Sequence, residues 1–176
     1  MSTLLTLNTG NDGRPYDDFL REKVAFDRSF GFEVKDEWLS PIMRPGHDHY
    51  KPHQADIVKW AVNGGRRAVF ARYGLGKSVM QLEILRLIVE HGPEPRGEFG
   101  TIDARRGLIV APLGVRCDII ADGRNLLDTE VRFIRSTAEV DTEWSGLYVT
   151  NYESVRDGKL DVNLFDAVSL DEAAVL

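Results

Sequence analysis

The sequence predicts an α/β fold built on a mainly parallel β-sheet, and three observations support this prediction. Short apolar runs alternate with longer amphipathic segments between residues 53 and 170, which is typical of strands joined by helical crossovers. A glycine-rich turn at residues 74–78 connects one apolar run to the amphipathic segment that follows it. Near the carboxyl end, another apolar run leads directly into Asp171 and Glu172. Open sheets of this class bind ligands at the carboxyl ends of their strands.

The first fifty residues are predicted to form an arm and a short accessory segment. Residues 1–15 are polar and rich in turn-forming types, which is typical of a flexible arm. Residues 17–28 carry apolar side chains at helical spacing and predict a helix. We therefore divide the chain into an accessory segment, 1–50, and a core domain, 51–176. The accessory segment is expected to pack on the core domain or on something missing from this chain.

The core domain is predicted to alternate helices and strands. A helix at 53–63 ends at a glycine pair, and a long helix follows Ser78. The strand pattern predicts a parallel sheet that is covered on both faces. The predicted strands are 68–71, 107–111, 131–134, 147–150 and 167–170, with a short helix at 115–121 and a helical start near Tyr152.

The glycine-rich turn has the composition of a phosphate-binding loop. An apolar run precedes Gly74-Leu75-Gly76-Lys77-Ser78 and an amphipathic helix follows it, so backbone N–H groups and a helix N-terminus would surround one anionic point. Lys77 would reach the β- and γ-phosphates, and the Ser78 hydroxyl would ligate Mg²⁺. The first position of the usual G-x-x-x-x-G-K-[ST] pattern is Ala71 instead of Gly.

The acidic pair at the far end of the chain supplies the complementary chemistry. An apolar strand that ends in two acids delivers their carboxylates to the ligand-binding edge of the sheet. Asp171 would hold Mg²⁺, in most such sites through water, and Glu172 would orient and deprotonate the attacking water. The same pair at the start of an ordinary solvated loop is the alternative, which the upstream phosphate-binding loop disfavours.

Composition limits the class of protein. The 176 residues are 43% hydrophobic and 28% charged, as in ordinary globular domains. The formal charge of −6 provides no overall basic surface for nucleic acid, although a local basic stripe remains compatible with it. The single cysteine, Cys117, fits a reducing cytoplasm, and no apolar run has the length of a membrane span.

At this point the chain resembles a known family. Four segments occur in the order found in superfamily-two helicases, and most resemble the Swi/Snf-type and DEAD/DEAH-type ATPases of phages and prophages. The segments are Gly74-Leu75-Gly76-Lys77-Ser78, Leu108-Ile109-Val110-Ala111-Pro112, Val149-Thr150-Asn151-Tyr152-Glu153 and Asp171-Glu172-Ala173-Ala174. The resemblance covers roughly residues 50–176. It implies a three-layer, RecA-like P-loop lobe, the first of two.

The resemblance also assigns roles to individual residues. Catalytic roles fall to Glu172 and Lys77, and Mg²⁺ ligation to Ser78 and Asp171. Gln54 resembles the glutamine that reads the adenine edge, while Pro112, Leu113, Asn151 and Tyr152 would lie along the nucleic-acid strand. ATP would be bound by Gln54 together with the loop residues Tyr73, Gly74, Leu75, Gly76, Lys77 and Ser78.

The function expected from these features is ATP hydrolysis coupled to movement on DNA, in a cytoplasmic protein. We expect a second RecA-like lobe, with its arginine fingers, to belong to a longer parent protein, and this chain alone to be nearly inactive. A catalytically inactive lobe that docks on a nucleic-acid machine is the leading alternative. A small-molecule kinase is a weaker one, because no arginine-rich lid segment is present.

Overall fold

The computed structural model describes residues 30–93 and 104–172. The predicted arm at 1–15 and the predicted helix at 17–28 lie outside these ranges. In chain order the helices and strands are α1 (Pro52–Gly64), α2 (Lys77–His91), β1 (Arg106–Ala111), α3 (Arg116–Leu127), β2 (Val131–Phe133), β3 (Gly146–Asn151), α4 (Tyr152–Arg156) and β4 (Ala167–Leu170).

The sheet confirms the predicted α/β class. Its strand order is β2-β3-β1-β4, and all three neighbouring pairs are parallel. In the register of this sheet, Val110 of β1 lies opposite Thr150 of β3 on one side and Leu170 of β4 on the other. Because the strands are parallel, the residues that follow β1, β3 and β4 meet at one edge. That edge receives the acidic pair.

The predicted strand at residues 68–71 is wrong. In the described part of the chain this segment has no regular secondary structure and belongs to no β-ladder, and β4 pairs only with β1. Phe70 is 99% exposed. The two arginines just before the segment make cation–π contacts: Arg66 lies over the ring of Phe30 and Arg67 over the ring of Trp60. The apolar composition alone therefore does not bring this segment into the sheet.

The two faces of the sheet are covered differently. Helices α1, α2 and α3 share one apolar cluster with side chains of β1 and β3, such as Ile109 and Val149. The opposite face, which includes Leu108, Val110 and Tyr148, packs mainly against connecting segments and the five-residue helix α4. A full helical layer is thus present on one face of the described sheet.

The described part of the accessory segment packs on the core domain. Val34, Leu39, Ile42 and Met43 are buried in the same cluster as α1 and α2. A buried polar contact accompanies them, because the Glu83 carboxylate of α2 accepts hydrogen bonds from the Ser40 backbone N–H and from its hydroxyl, each at 2.7 Å. This segment is therefore fixed to the middle of α2.

Across the described ranges, no helix has the combination of length and apolar character required for a bilayer span.

Candidate functional site

The glycine-rich turn leads directly into α2, as the sequence predicts. Gly74 and Gly76 have φ angles of 82° and 78°, in the left-handed region that side chains with a Cβ atom rarely adopt. The tight turn places Lys77 and Ser78 in the first turn of a 15-residue helix. The N–H groups of that turn have no carbonyl partner within the helix, and the helix dipole favours an anion beside them. The helix N-terminus is therefore suited to phosphate.

Gln54 supports the turn from the side of α1. Its side chain is only 7% exposed, and its Nε2 donates a hydrogen bond of 2.9 Å to the Leu75 carbonyl. A Cβ atom at Gly76 would lie 2.2 Å from the same nitrogen. The predicted adenine contact of Gln54 remains a prediction, whereas its contact with the loop backbone was not foreseen. The sequence did contain a signal for this inward direction, because Gln54 and the buried Val58 are four residues apart and therefore lie on the same face of α1.

The rest of the turn is open to solvent. Tyr73 is 99% exposed and Leu75 is 39% exposed. Neither side chain is positioned against the protein core, so the structure leaves their predicted nucleotide contacts as predictions. An open loop of this kind presents its backbone, more than its side chains, to a ligand.

The acidic pair continues β4 past its last residue. The Asp171 N–H donates a hydrogen bond of 2.9 Å to the Val110 carbonyl, which extends the β1–β4 ladder by one step. Glu172 then leaves the sheet with a φ angle of 50° and an exposed side chain. The Asp171 carbonyl accepts a hydrogen bond from the Tyr152 hydroxyl. The carboxylates thus stand at the sheet edge predicted from the sequence.

A side-chain contact brings the turn and the acidic pair together. Gln81 Nε2 of α2 donates a hydrogen bond of 2.8 Å to the Ser169 hydroxyl of β4. Lys77 precedes Gln81 by four residues on α2, and Asp171 follows Ser169 by two residues along the strand direction. Both spacings keep the side chains on one face of their element. The contact therefore places Lys77 and Asp171 on the same side of the α2–β4 interface.

The charges at this interface influence one another. Burial raises the pKa of the Asp171 carboxyl, the negative charge of Glu172 raises it further, and the positive charge of Lys77 opposes the rise. A nearby cation favours the ionised form of an acid. Lys77 therefore stabilises the Asp171 carboxylate, which burial and Glu172 disfavour.

The residues predicted to follow a nucleic-acid strand gather at the same edge. Pro112 and Leu113 come directly after β1, and the Leu113 side chain is half exposed. Asn151 ends β3, and its Oδ1 accepts a hydrogen bond from the Ser154 hydroxyl. Tyr152 begins α4 and directs its hydroxyl to the acidic pair. The structure brings these residues to one edge, and their contact with nucleic acid remains a prediction.

No group of three or more His, Cys, Asp or Glu side chains in residues 30–93 and 104–172 is arranged to hold a metal ion. Mg²⁺ in phosphate-binding sites commonly takes one or two protein oxygens, with phosphate and water completing the shell. Mg²⁺ ligation by Ser78 and Asp171 remains a prediction.

No protein-family model matches the chain, and comparison with curated proteins and with solved structures finds no match either.

Proposed function

We propose that the chain is the ATP-binding lobe of a nucleic-acid helicase or translocase, with Mg-ATP bound between α2 and the acidic end of β4. The observation that carries this proposal is the hydrogen bond between Gln81 and Ser169. It joins the helix that begins with Lys77 to the strand that ends before Asp171. The RecA-like assignment rests on this arrangement and on the order of the four sequence segments.

Each side chain has a specific part in the proposed site. Lys77 and the N–H groups of the first turn of α2 bind the β- and γ-phosphates. Mg²⁺, held by the Ser78 hydroxyl and Asp171, would neutralise charge on the transferring phosphoryl group. Glu172 orients the attacking water and accepts its proton. Gln54 keeps the turn in its binding shape through the Leu75 carbonyl.

The nucleic-acid part of the proposal rests on the resemblance and on the common edge of the sheet. Leu113 lies just after β1 and Asn151 ends the neighbouring parallel strand β3, so a strand of DNA laid across this edge would meet both segments. The net charge of −6 limits the electrostatic affinity that this lobe supplies, because phosphate contacts provide most non-specific binding. A second lobe would contribute the remaining contacts.

One observation favours the alternative of an inactive lobe that acts as a binding module. Val69, Phe70 and Tyr73, beside the phosphate-binding turn, are all exposed. Exposed apolar side chains close together are typical of surfaces that bind another protein. In that case the lobe would form a stoichiometric complex that is indifferent to ATP.

Calorimetric titration of the full chain with Mg-ATP tests the proposal. Lys77→Ala should weaken binding by about tenfold or more, equivalent to about 1.4 kcal/mol, because it removes the cation nearest the phosphates. Lys159→Ala is the matched control, since Lys159 is an exposed lysine that pairs with Asp157. Its affinity should equal that of the unaltered chain.

Two results would contradict the proposal. Equal affinities of the Lys77→Ala variant and the unaltered chain would exclude Lys77 as the phosphate contact. No measurable ATP binding by the unaltered chain would exclude the nucleotide site and support the binding module. Circular dichroism melts of all three proteins separate lost binding from lost folding.

A further inference from the structure

Tyr152 connects two strands of the sheet at the candidate site. It is the first residue of α4, directly after β3, and its hydroxyl donates a hydrogen bond to the Asp171 carbonyl beyond the end of β4. β1 lies between these strands, and its Val110 carbonyl accepts the Asp171 N–H. Both peptide groups that flank the Asp171 Cα atom are therefore held by hydrogen bonds.

The backbone directly after this point is strained. Among the described residues, Glu172 and Asp128 are the non-glycine residues with a positive φ angle. The left-handed conformation is disfavoured by about 1–2 kcal/mol for residues with a Cβ atom and persists where the surroundings impose it. The φ angle of Glu172 depends on the orientation of the peptide group between Asp171 and Glu172. The carbonyl of that peptide group is the acceptor of the Tyr152 hydrogen bond.

We propose that Tyr152 is a positioning residue that fixes the Asp171–Glu172 peptide group and thereby directs both carboxylates toward bound Mg-nucleotide. This inference rests on the proposed function of the same site. It gives Tyr152 a role in addition to the nucleic-acid contact expected from the resemblance. The tyrosine acts through the backbone of the acidic pair and does not itself contact the nucleotide.

The chemistry of the phenol suits this role. A tyrosine phenol ordinarily keeps its proton at neutral pH, so the Tyr152 hydroxyl can donate the hydrogen bond to the Asp171 carbonyl. A phenylalanine at this position would keep the ring and lose only the donor.

The first test measures how much Mg²⁺ strengthens ATP binding to the full chain. ATP is titrated calorimetrically into the unaltered chain and the Tyr152→Phe variant, once with EDTA and once with excess Mg²⁺. We expect equal affinities with EDTA, and a gain from Mg²⁺ that is about fivefold smaller in the variant, as for the loss of one hydrogen bond. A general loss of structure would instead weaken binding under both conditions.

Tyr148→Phe is the matched control. Tyr148 lies four residues earlier in β3, and its hydroxyl donates to the Asp141 carbonyl, away from the acidic pair. Its variant should retain the full gain from Mg²⁺. An equal gain in the Tyr152→Phe variant and the unaltered chain would overturn the positioning role.

The second test requires no nucleotide. Amide hydrogen exchange measured by NMR should be at least about fivefold faster at Asp171 in Tyr152→Phe, because the peptide group next to it loses its anchor. The Tyr148→Phe variant should show the original rate at Asp171. Unchanged exchange in Tyr152→Phe would overturn the inference by itself.

The two tests also separate the inference from the proposed function. If the unaltered chain gains no affinity from Mg²⁺, the proposed function fails. Hydrogen exchange at Asp171 then still decides whether Tyr152 holds the acidic pair.

Discussion

Helix α2 lies between a region in which charged side chains are buried and a region in which apolar side chains are exposed. Behind its middle, the Glu83 carboxylate and the Arg86 guanidinium are buried, and both are hydrogen bonded. In front of its N-terminus, Val69 and Phe70 are apolar and exposed. We call residues Trp38, Ser40, Glu83 and Arg86 the buried frame, and residues 66–76 the open loop.

The difference shows that available partners, more than residue type, decide what is buried. In the buried frame, Glu83 accepts from Ser40 and Arg86, and Arg86 also donates to the Trp38 carbonyl. Burial alone would lower the pKa of Arg86, but hydrogen bonding and the charges of Glu83 and Glu90 raise it above its ordinary value. Within residues 30–93 and 104–172, no strand pairs with the backbone of the open loop. Stability should therefore reside in the frame, and ligand binding in the loop.

The largest expected effect comes from Glu83→Ala. The substitution leaves the buried Arg86 cation without its buried carboxylate partner and removes the acceptor of two Ser40 hydrogen bonds. Loss of one partner of a buried ion pair typically costs about 3–5 kcal/mol. Urea denaturation followed by circular dichroism should show a destabilisation of that size.

Glu90→Ala is the matched control, because Glu90 also pairs with Arg86 but is 46% exposed. Its loss should cost less than about 1 kcal/mol, as for surface ion pairs. Equal effects of the two substitutions would show that the buried frame is not the source of the stability.

An intermediate effect on stability is expected where the loop touches α1. In Gly74→Ala the new Cβ atom meets no atom within 4 Å, so the free energy of unfolding should fall by about 1–2 kcal/mol through the positive φ angle alone. Alanine at Gly76 has the same conformational penalty and also collides with Gln54 Nε2. It should therefore lose about 1 kcal/mol more, because the hydrogen bond to Leu75 breaks.

Denaturation midpoints of both alanine variants test this prediction. The excess effect at Gly76 should disappear when Gln54→Ala is combined with Gly76→Ala and compared with Gln54→Ala alone. If the excess persists in that background, Gln54 is not its cause.

The smallest expected effect comes from Phe70→Ser in the open loop. A side chain that is 99% exposed loses almost no buried area on substitution, so the change in the free energy of unfolding should stay within about 0.5 kcal/mol. By contrast, Phe165 is only 8% exposed, and Phe165→Ala should lower the free energy of unfolding by about 3–5 kcal/mol. A large loss of thermal stability in Phe70→Ser would show that residue 70 packs against the protein in solution.

Much of the fold could be predicted because its strands and helices have distinct local patterns. The predicted strands at 107–111, 147–150 and 167–170 agree with β1, β3 and β4 to within one residue at each end. The helix after Ser78 is likewise confirmed as α2. In each case apolar spacing, glycine and proline agree about where the element begins or ends.

Other features depend on contacts between distant residues and had no local signature. The strand predicted at 68–71 failed because strand formation requires a partner, which an apolar composition does not supply. The contacts of Gln81 with Ser169 and of Tyr152 with Asp171 span 88 and 19 residues. The sequence predicted the types of chemical groups at the site, whereas the fold determines which of them touch.

The buried contact between Ser40 and Glu83 has a practical consequence for anyone who shortens this gene. A fragment begun at residue 51, where the composition suggests a boundary, would lack Leu39, Met43 and Ser40, all of which pack against the core. Glu83 would lose two of its donors and α2 part of its apolar cover. Any expression fragment meant to report on ligand binding should therefore begin before Val34.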